Sequence, residues 1–294
     1  MSLFYLTALQ MAFCLTPMAL GIFISMKVFN MPDITTDGSY TLGATITAVL
    51  LSGHTSVWIV LPASMLAGAL AGTLTGLVHT KLKVDALLSG ILVMTALYSI
   101  NLVVMGRSNI PLIGIDSIFS LLNFTGNETF SNLLVALLLV SFIWLLLTRL
   151  LKTDFGIGMR ASGNNPIMTK ALGINNDAIR MIGLAISNSM TALSGFLVSQ
   201  YQGFADINMG IGIVITGLGS VLIAETLRQW FSVRSIGGQL LLVVLGCIVF
   251  QAVLAFTLSI GVDPNLLKMV TAGFVLLIVA LPKVSTALFK TQRS

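Results

Sequence analysis

The chain has 294 residues, of which 56% are hydrophobic and only 9% charged, with a mean hydropathy of +1.01 and a net charge of +5. A soluble protein of this length needs far more charge to cover its surface, so the chain is expected to be an all-α polytopic membrane protein whose main solvent is the lipid bilayer. The positive excess then reports membrane topology and gives no ground for a nucleic-acid partner, and the continuous, non-alternating apolar runs argue against strands.

About nine hydrophobic segments follow in chain order: 4–26, 40–51, 57–78, 85–105, 132–148, 178–200, 210–224, 239–258 and 266–282. The first lacks a basic stretch before it and a small-residue cleavage site after it, and reads as a retained helix. The second and seventh are short for a crossing, as broken helices are in transporters. "MPDITTDGSYTLGA" leads into the second, and "GFADINMGIGIVITG" leads into the seventh. The echo has the form of an inverted repeat and places Asp33, Asp37, Asp206 and Asn208 at the mouths of two short helices, as caps or as residues of a translocation path.

The third segment carries Gly68, Gly72 and Gly76, a spacing that lets a second helix approach closely, within one subunit or across a dimer seam. Asn123 and Asn127 open two sequons in the loop before the fifth segment, which are taken as chance. In the sixth, Ser187, Thr191 and Ser194 share a face with Asn188 beside them, suited either to interhelical hydrogen bonds or to a path. Glu225 precedes Arg228 by three residues at the end of the seventh, an ordinary ion-pair spacing. Cys14 and Cys247 lie in separate spans, which supports neither a disulfide framework nor a zinc site.

Charge gathers between the fifth and sixth segments, at about 149–177. If the spans alternate from an external N-terminus, 13 of the 15 Lys and Arg fall on the inner side and only Arg107 and Lys268 outside, which makes this loop cytoplasmic. Within it, Asn165 stands at an N-cap position, Pro166 at the first helical position and Gly173 at a stop, so the spacing predicts a helix of about two turns over 166–172. Such a helix is too short to persist alone, and either lies in the lipid interface or docks on a cytoplasmic partner.

The stretch "TDFGIGMRASGNNPIMTKALGINND" resembles the cytoplasmic loop of ABC importer permeases of the branched-chain amino acid and ribose type, through Gly156, Arg160, Ala161, Gly163, Asn165, Pro166, Gly173 and Ile174. "DITTDGSYTLGA" is similar to that family's second-helix signature. "LLSGILVMTALYSINLVVMGRSNIPL" looks like a subgroup served by a lipoprotein receptor for amino acids, aromatic ones among them.

The resemblance implies one transmembrane permease domain over 1–294, in the inner (plasma) membrane of a bacterium or similar prokaryote. It further implies an ABC ATPase subunit, an extracytoplasmic solute-binding protein and a homodimer as partners. Gly156, Arg160, Asn165, Pro166, Lys170 and Gly173 would serve ATPase coupling; Asp33, Asp37, Ser187, Asn188, Thr191, Asp206 and Asn208 stand as path candidates on their own placement, with capping and interhelical bonding as the other readings. No phosphate-cradling G-x-x-x-x-G-K-[ST] occurs, so the ATP must be hydrolysed by another chain, and no cofactor or metal is expected. A secondary transporter is the alternative, disfavoured by the scarcity of mid-span ionisable residues. A hydrolase built on Ser220 lacks a base, since His54 and His79 lie at segment ends.

Overall fold

The computed structural model describes residues 2–122, 128–263, 266–267 and 269–278. Asn123 and Asn127 of the two sequons, the cations after residue 282, and Lys268 lie outside the described residues. The chain begins with α1 (Ser2–Phe23), which continues as a π-helical turn over Ile24–Val28. Next come α2 (Thr35–Ser52), α3 (Val57–Lys81) and α4 (Ala86–Met105). Strand β1 (Asn109–Pro111) and the short α5 (Ile118–Leu121) lead to α6 (Glu128–Lys152), α7 (Asp154–Asn164) and α8 (Pro166–Ala171). The remainder is α9 (Asn176–Gln202), strand β2 (Phe204–Asp206), α10 (Ile213–Phe231) and α11 (Ile236–Ser259), followed by a shorter apolar helix, Met269–Ile278.

Six helices among the described residues are long and apolar enough to cross a membrane: Tyr5–Val28, Val57–Lys81, Ala86–Met105, Glu128–Lys152, Asn176–Gln202 and Ile236–Ser259. Helices answer the demand that every backbone N–H and C=O in lipid be paired within its own segment. Local chemistry sets their ends. Asp85 accepts the Leu87 N–H at the start of α4, Ser235 accepts the Gly238 N–H at the start of α11, and Gly106, at φ +64°, closes α4.

Helices α1 and α9 form the interior of the molecule: 78% and 72% of their most apolar 18-residue stretches are buried, against 28% for α4 and for α6. Helix α9 packs on α1, α2 and α3. The α3 glycines make three of these approaches close: a Cβ on Gly68 would meet the Asn188 carbonyl, one on Gly72 the Leu184 carbonyl, and one on Gly76 the Met181 backbone. Their place is therefore inside one chain. On a neighbouring face Ser187 donates to the Gly21 carbonyl at 2.7 Å, and Ser194 to that of Cys14, tying α9 antiparallel to α1. Cys14 and Cys247 are free, buried thiols, and the latter points at the Ala12 carbonyl.

The contacts sort the ends of the elements onto two sides. Strands β1 and β2, which follow α4 and α9, pair antiparallel with Ile110 opposite Ala205, so both lie on one side. On the other, Gly163 of α7 abuts the Val28 carbonyl, and Lys27 reaches Glu225 of α10 at 3.4 Å. Ten described cations lie toward this second side: Lys27, Lys81, Lys83, Arg149, Lys152, Arg160, Lys170, Arg180, Arg228 and Arg234. Arg107 alone among the described cations lies toward the first.

Several boundaries differ from the sequence expectation. The second segment is longer than 40–51, because α2 starts at Thr35 within the polar run, whose side chains find partners in the interior. The seventh is displaced to α10, beginning at Ile213 and reaching Phe231. The loop at 149–177 holds two helices, α7 as well as α8. The strand pair is also additional, three residues on each side, at a loop end rather than within a span.

Candidate functional site

Two polar regions stand out against the apolar body. The first is a buried seam where α2, α9 and α10 meet. Asp33, 5% exposed, accepts the Thr35 N–H at 2.9 Å and the Asn188 Nδ2–H at 2.7 Å, while Ser39 donates to Asn188 Oδ1 at 2.7 Å. Thr35 and Thr75 share a hydrogen bond of 2.8 Å, which brings α3 into the seam. Each polar group thereby has a partner in a setting where an unpaired one is expensive.

Asp37 belongs to the same seam and does a different job. Its carboxylate accepts the Gly212 N–H at 2.8 Å and the Val214 N–H at 2.9 Å, so it caps the N-terminus of α10 from α2. A carboxylate at the positive end of a helix is favourable both as acceptor and as charge. The pairs Ser39 with Asn188 and Tyr40 with Gly195 show that α2 runs parallel to α9. Gly217 beside Met18 and Ile22, and Glu225 beside Lys27, show that α10 runs parallel to α1, hence against α2.

Not all the path candidates come together. Ser187 and Asn188 are fully buried, the first against α1 and the second between Asp33 and Ser39. Thr191 donates to the Ser187 carbonyl of its own helix at 3.0 Å. Asp206 and Asn208 stand apart on the strand side. Asp206 accepts the Asn208 N–H at 2.8 Å in its own turn and the Asn109 side chain at 3.4 Å, and the mouth of α10 is served by Asp37 instead.

The second region is the cation-rich face carrying α7 and α8. Asn165 accepts the Met168 N–H at 3.0 Å, Pro166 opens α8, and Gly173 takes φ +80° at its end, so the short helix forms as its punctuation predicts, with its last residue at Ala171. Asn176 fastens it to α9: its Nδ2 donates to the Pro166 carbonyl at 2.7 Å, and its Oδ1 accepts from Thr169 at 2.8 Å. The outer face of α8 is apolar and open, with Ile167 83%, Met168 59% and Leu172 67% exposed. A groove of about 840 Å³ with mixed polar and apolar walls runs beside it, bordered by Ile167, Lys170, Ile174, Asp177 and Arg180.

Gly156 and Arg160 lie on α7 and not on this open face. A Cβ on Gly156 would strike the Leu150 carbonyl at the end of α6, so that glycine lets two helices touch. Arg160 is half-buried, and among the described residues its buried Nε has no hydrogen-bond partner. Sequence reasoning missed Ser39, Thr35 and Thr75, ordinary hydroxyl residues whose partners lie far along the chain. It also missed Asn176, although Asn175-Asn176 at a helix start was a visible cue. Glu225 pairs with Arg228, as its spacing suggests, and additionally with Lys27.

The family profile described as "Branched-chain amino acid transport system / permease component" matches residues 4–280. The chain is similar to the tyrosine transport system permease protein of Clostridioides difficile (strain R20291), with 38% identity over 98% of this chain and 94% of that one. It is 34% identical to an uncharacterized protein of Rickettsia prowazekii (strain Madrid E), over 93% of this chain and 95% of the other. Among solved structures its fold is shared with an inward-facing conformation of a putative metal-chelate type ABC transporter, at a TM-score of 0.52 and 16% identity, covering 96% of this chain and 85% of that chain.

Proposed function

Because the chain belongs to the branched-chain amino acid transport system / permease component family, and is thus a multi-pass ABC permease rather than an enzyme, we propose that it imports an amino acid with an apolar or aromatic side chain. The 38% identity to a tyrosine transport permease supports that substrate class. The whole of 1–294 acts as one permease domain, with the coupling loop at 149–177. The solute arrives from an extracytoplasmic binding protein, two copies of the permease form the membrane portion, and the inner membrane of a bacterium or similar prokaryote is its location.

The observation that carries this reading is the attachment of α8. A six-residue helix and its C-cap present Ile167, Met168 and Leu172 to solvent, while Asn176 fastens the helix to α9 with two hydrogen bonds. An ABC ATPase subunit engaging that apolar face would move α9 as a lever. Asn188 lies 12 residues beyond Asn176 on the same helix, about 18 Å at 1.5 Å per residue. A displacement of α8 therefore reaches Asp33 and Ser39 through one continuous rod.

We also retain the inverted repeat and its nine segments as a proposal: α2 and α10 start where they meet at Asp37 and run in opposite directions, as the shortened helices of two inverted halves would. A secondary transporter is the competing reading, since Asp33 and Asp37 are buried carboxylates of the sort that couple to protons. Proteoliposomes holding the permease, its ATPase and its binding protein decide between them. Uptake of L-tyrosine that requires internal ATP and ignores an imposed proton gradient is expected; uptake driven by the gradient without ATP would overturn the importer.

A further inference from the structure

Helix α6 packs on α1, α7 and α11, and leaves a gap between itself and α3 that is floored by α9. The gap has a volume of about 310 Å³ and apolar walls: Leu146 and Leu150 of α6, Met181, Ile182 and Ile186 of α9, and Ala69 of α3. Leu146 and Ile182 are 43% and 47% exposed, so the groove opens sideways on the surface that the spans present to lipid. Its floor runs along α9 from Met181 to Met190, about 13 Å at 1.5 Å per residue. The Thr73 hydroxyl on its wall is turned back to the Ala69 carbonyl at 2.7 Å. Such a channel suits an extended alkyl chain.

Each of the three helices brings cations to the same end of the groove. Lys81 is the last residue of α3, Arg149 and Lys152 lie in the last turn of α6, and Arg180 directly precedes Met181 on α9. Packing holds these ends side by side. A Cβ on Gly76 of α3 would meet the Met181 backbone, and α7 spans the other two helices, with Gly156 at the Leu150 carbonyl and Gly158 facing Ile179. None of the four cations is drawn into an ion pair or hydrogen bond among the described residues. Of the acidic residues next to them in sequence, Asp85 caps α4, while Asp154 and Asp177 lie in the first turns of α7 and α9, each at the positive pole of a helix. Unpaired cations where an apolar groove meets the membrane surface call for an anion that carries a hydrocarbon tail.

We propose that the groove holds an anionic glycerophospholipid, with one acyl chain lying along α9 between α3 and α6 and the phosphate headgroup held by Arg149 and Arg180, Lys81 and Lys152 standing beside them. A zwitterionic lipid offers the same chains without the net charge, and is selected against at the headgroup. The site is independent of which solute the permease carries and of what drives it.

The test uses the full-length permease in nanodiscs of equal dioleoylphosphatidylglycerol and dioleoylphosphatidylcholine, with the lipids that stay on the released protein weighed by native mass spectrometry. Phosphatidylglycerol is expected to be retained severalfold over phosphatidylcholine. The double variant Arg149→Gln, Arg180→Gln should bring the two lipids to parity. Arg234→Gln removes an exposed cation of the same side, between α10 and α11, and should leave the preference intact. Ala69→Phe fills the groove from α3 and should lower retention of both lipids. Equal retention of the two lipids by the wild type would overturn the site, as would a loss from Arg234→Gln matching that of the double variant. Dimers that retain neither lipid and separate on Ala69→Phe would also overturn it, since a second copy would then occupy the groove. The charge comparison decides the matter even where Ala69→Phe does not insert.

Discussion

Asn188 is the residue on which the buried seam turns. It donates to Asp33 and accepts from Ser39 with one amide, so Asn188→Leu strands a carboxylate oxygen and a hydroxyl together in the interior. A loss of at least about 2 kcal/mol is expected, read as a lowered unfolding midpoint in detergent. Thr191→Ala is the matched control one helical turn away. The Thr191 hydroxyl only returns to a carbonyl of its own helix, so its removal should cost under about 1 kcal/mol. Equal losses in the two variants would show that the seam contributes nothing beyond ordinary packing. The sequence displayed Asp33, Ser187 and Asn188 as polar residues in an apolar chain. It could not display their pairing, because Ser39 and Asn188 are 149 residues apart.

Helices are legible in proportion to how far their stability is local. Residues 166–172 carry their own N-cap, proline and glycine stop, and α8 appears there. Helix α7 was not anticipated, since "DFGIGMRASGN" holds three glycines and reads as loop; it stands because Gly156 and Gly163 let it touch α6 and the end of the π-helical turn. The start of α2 was missed for the same reason, its polar first turn being satisfied by α3, α9 and α10.

Gly72→Leu places a side chain where the Leu184 carbonyl already lies, and should cost about 3 kcal/mol or more, seen as loss of folded protein in membranes. Gly158→Ala, whose Cβ would meet only the end of the Ile179 side chain at 3.4 Å, should be tolerated. Gly173→Val forces a β-branched residue into a left-handed conformation, at about 1–3 kcal/mol. Because nothing lies within 4 Å of that Cβ, the damage should stay local, with membrane insertion unchanged and α8 displaced.

Across the whole molecule, the gathering of ten of the eleven described cations on the side of α7 and α8 leads us to propose an orientation with that face in the cytoplasm. Ile113→Cys, 88% exposed on the strand side, should react with an impermeant thiol reagent in intact cells, and Ile167→Cys should be protected until the cells are opened. The reverse pattern would invert the orientation. In the proposed mechanism a separate ATPase drives this permease through α8, by way of the face formed by Ile167 and Leu172. Pull-down of the ATPase subunit by wild-type, Ile167→Asp and Leu172→Asp permease, at equal membrane abundance and with ATP-dependent uptake measured in parallel, addresses it directly. Lost capture and lost uptake in both variants, with the spans still inserted, is the predicted result; undiminished capture together with normal uptake would contradict the account.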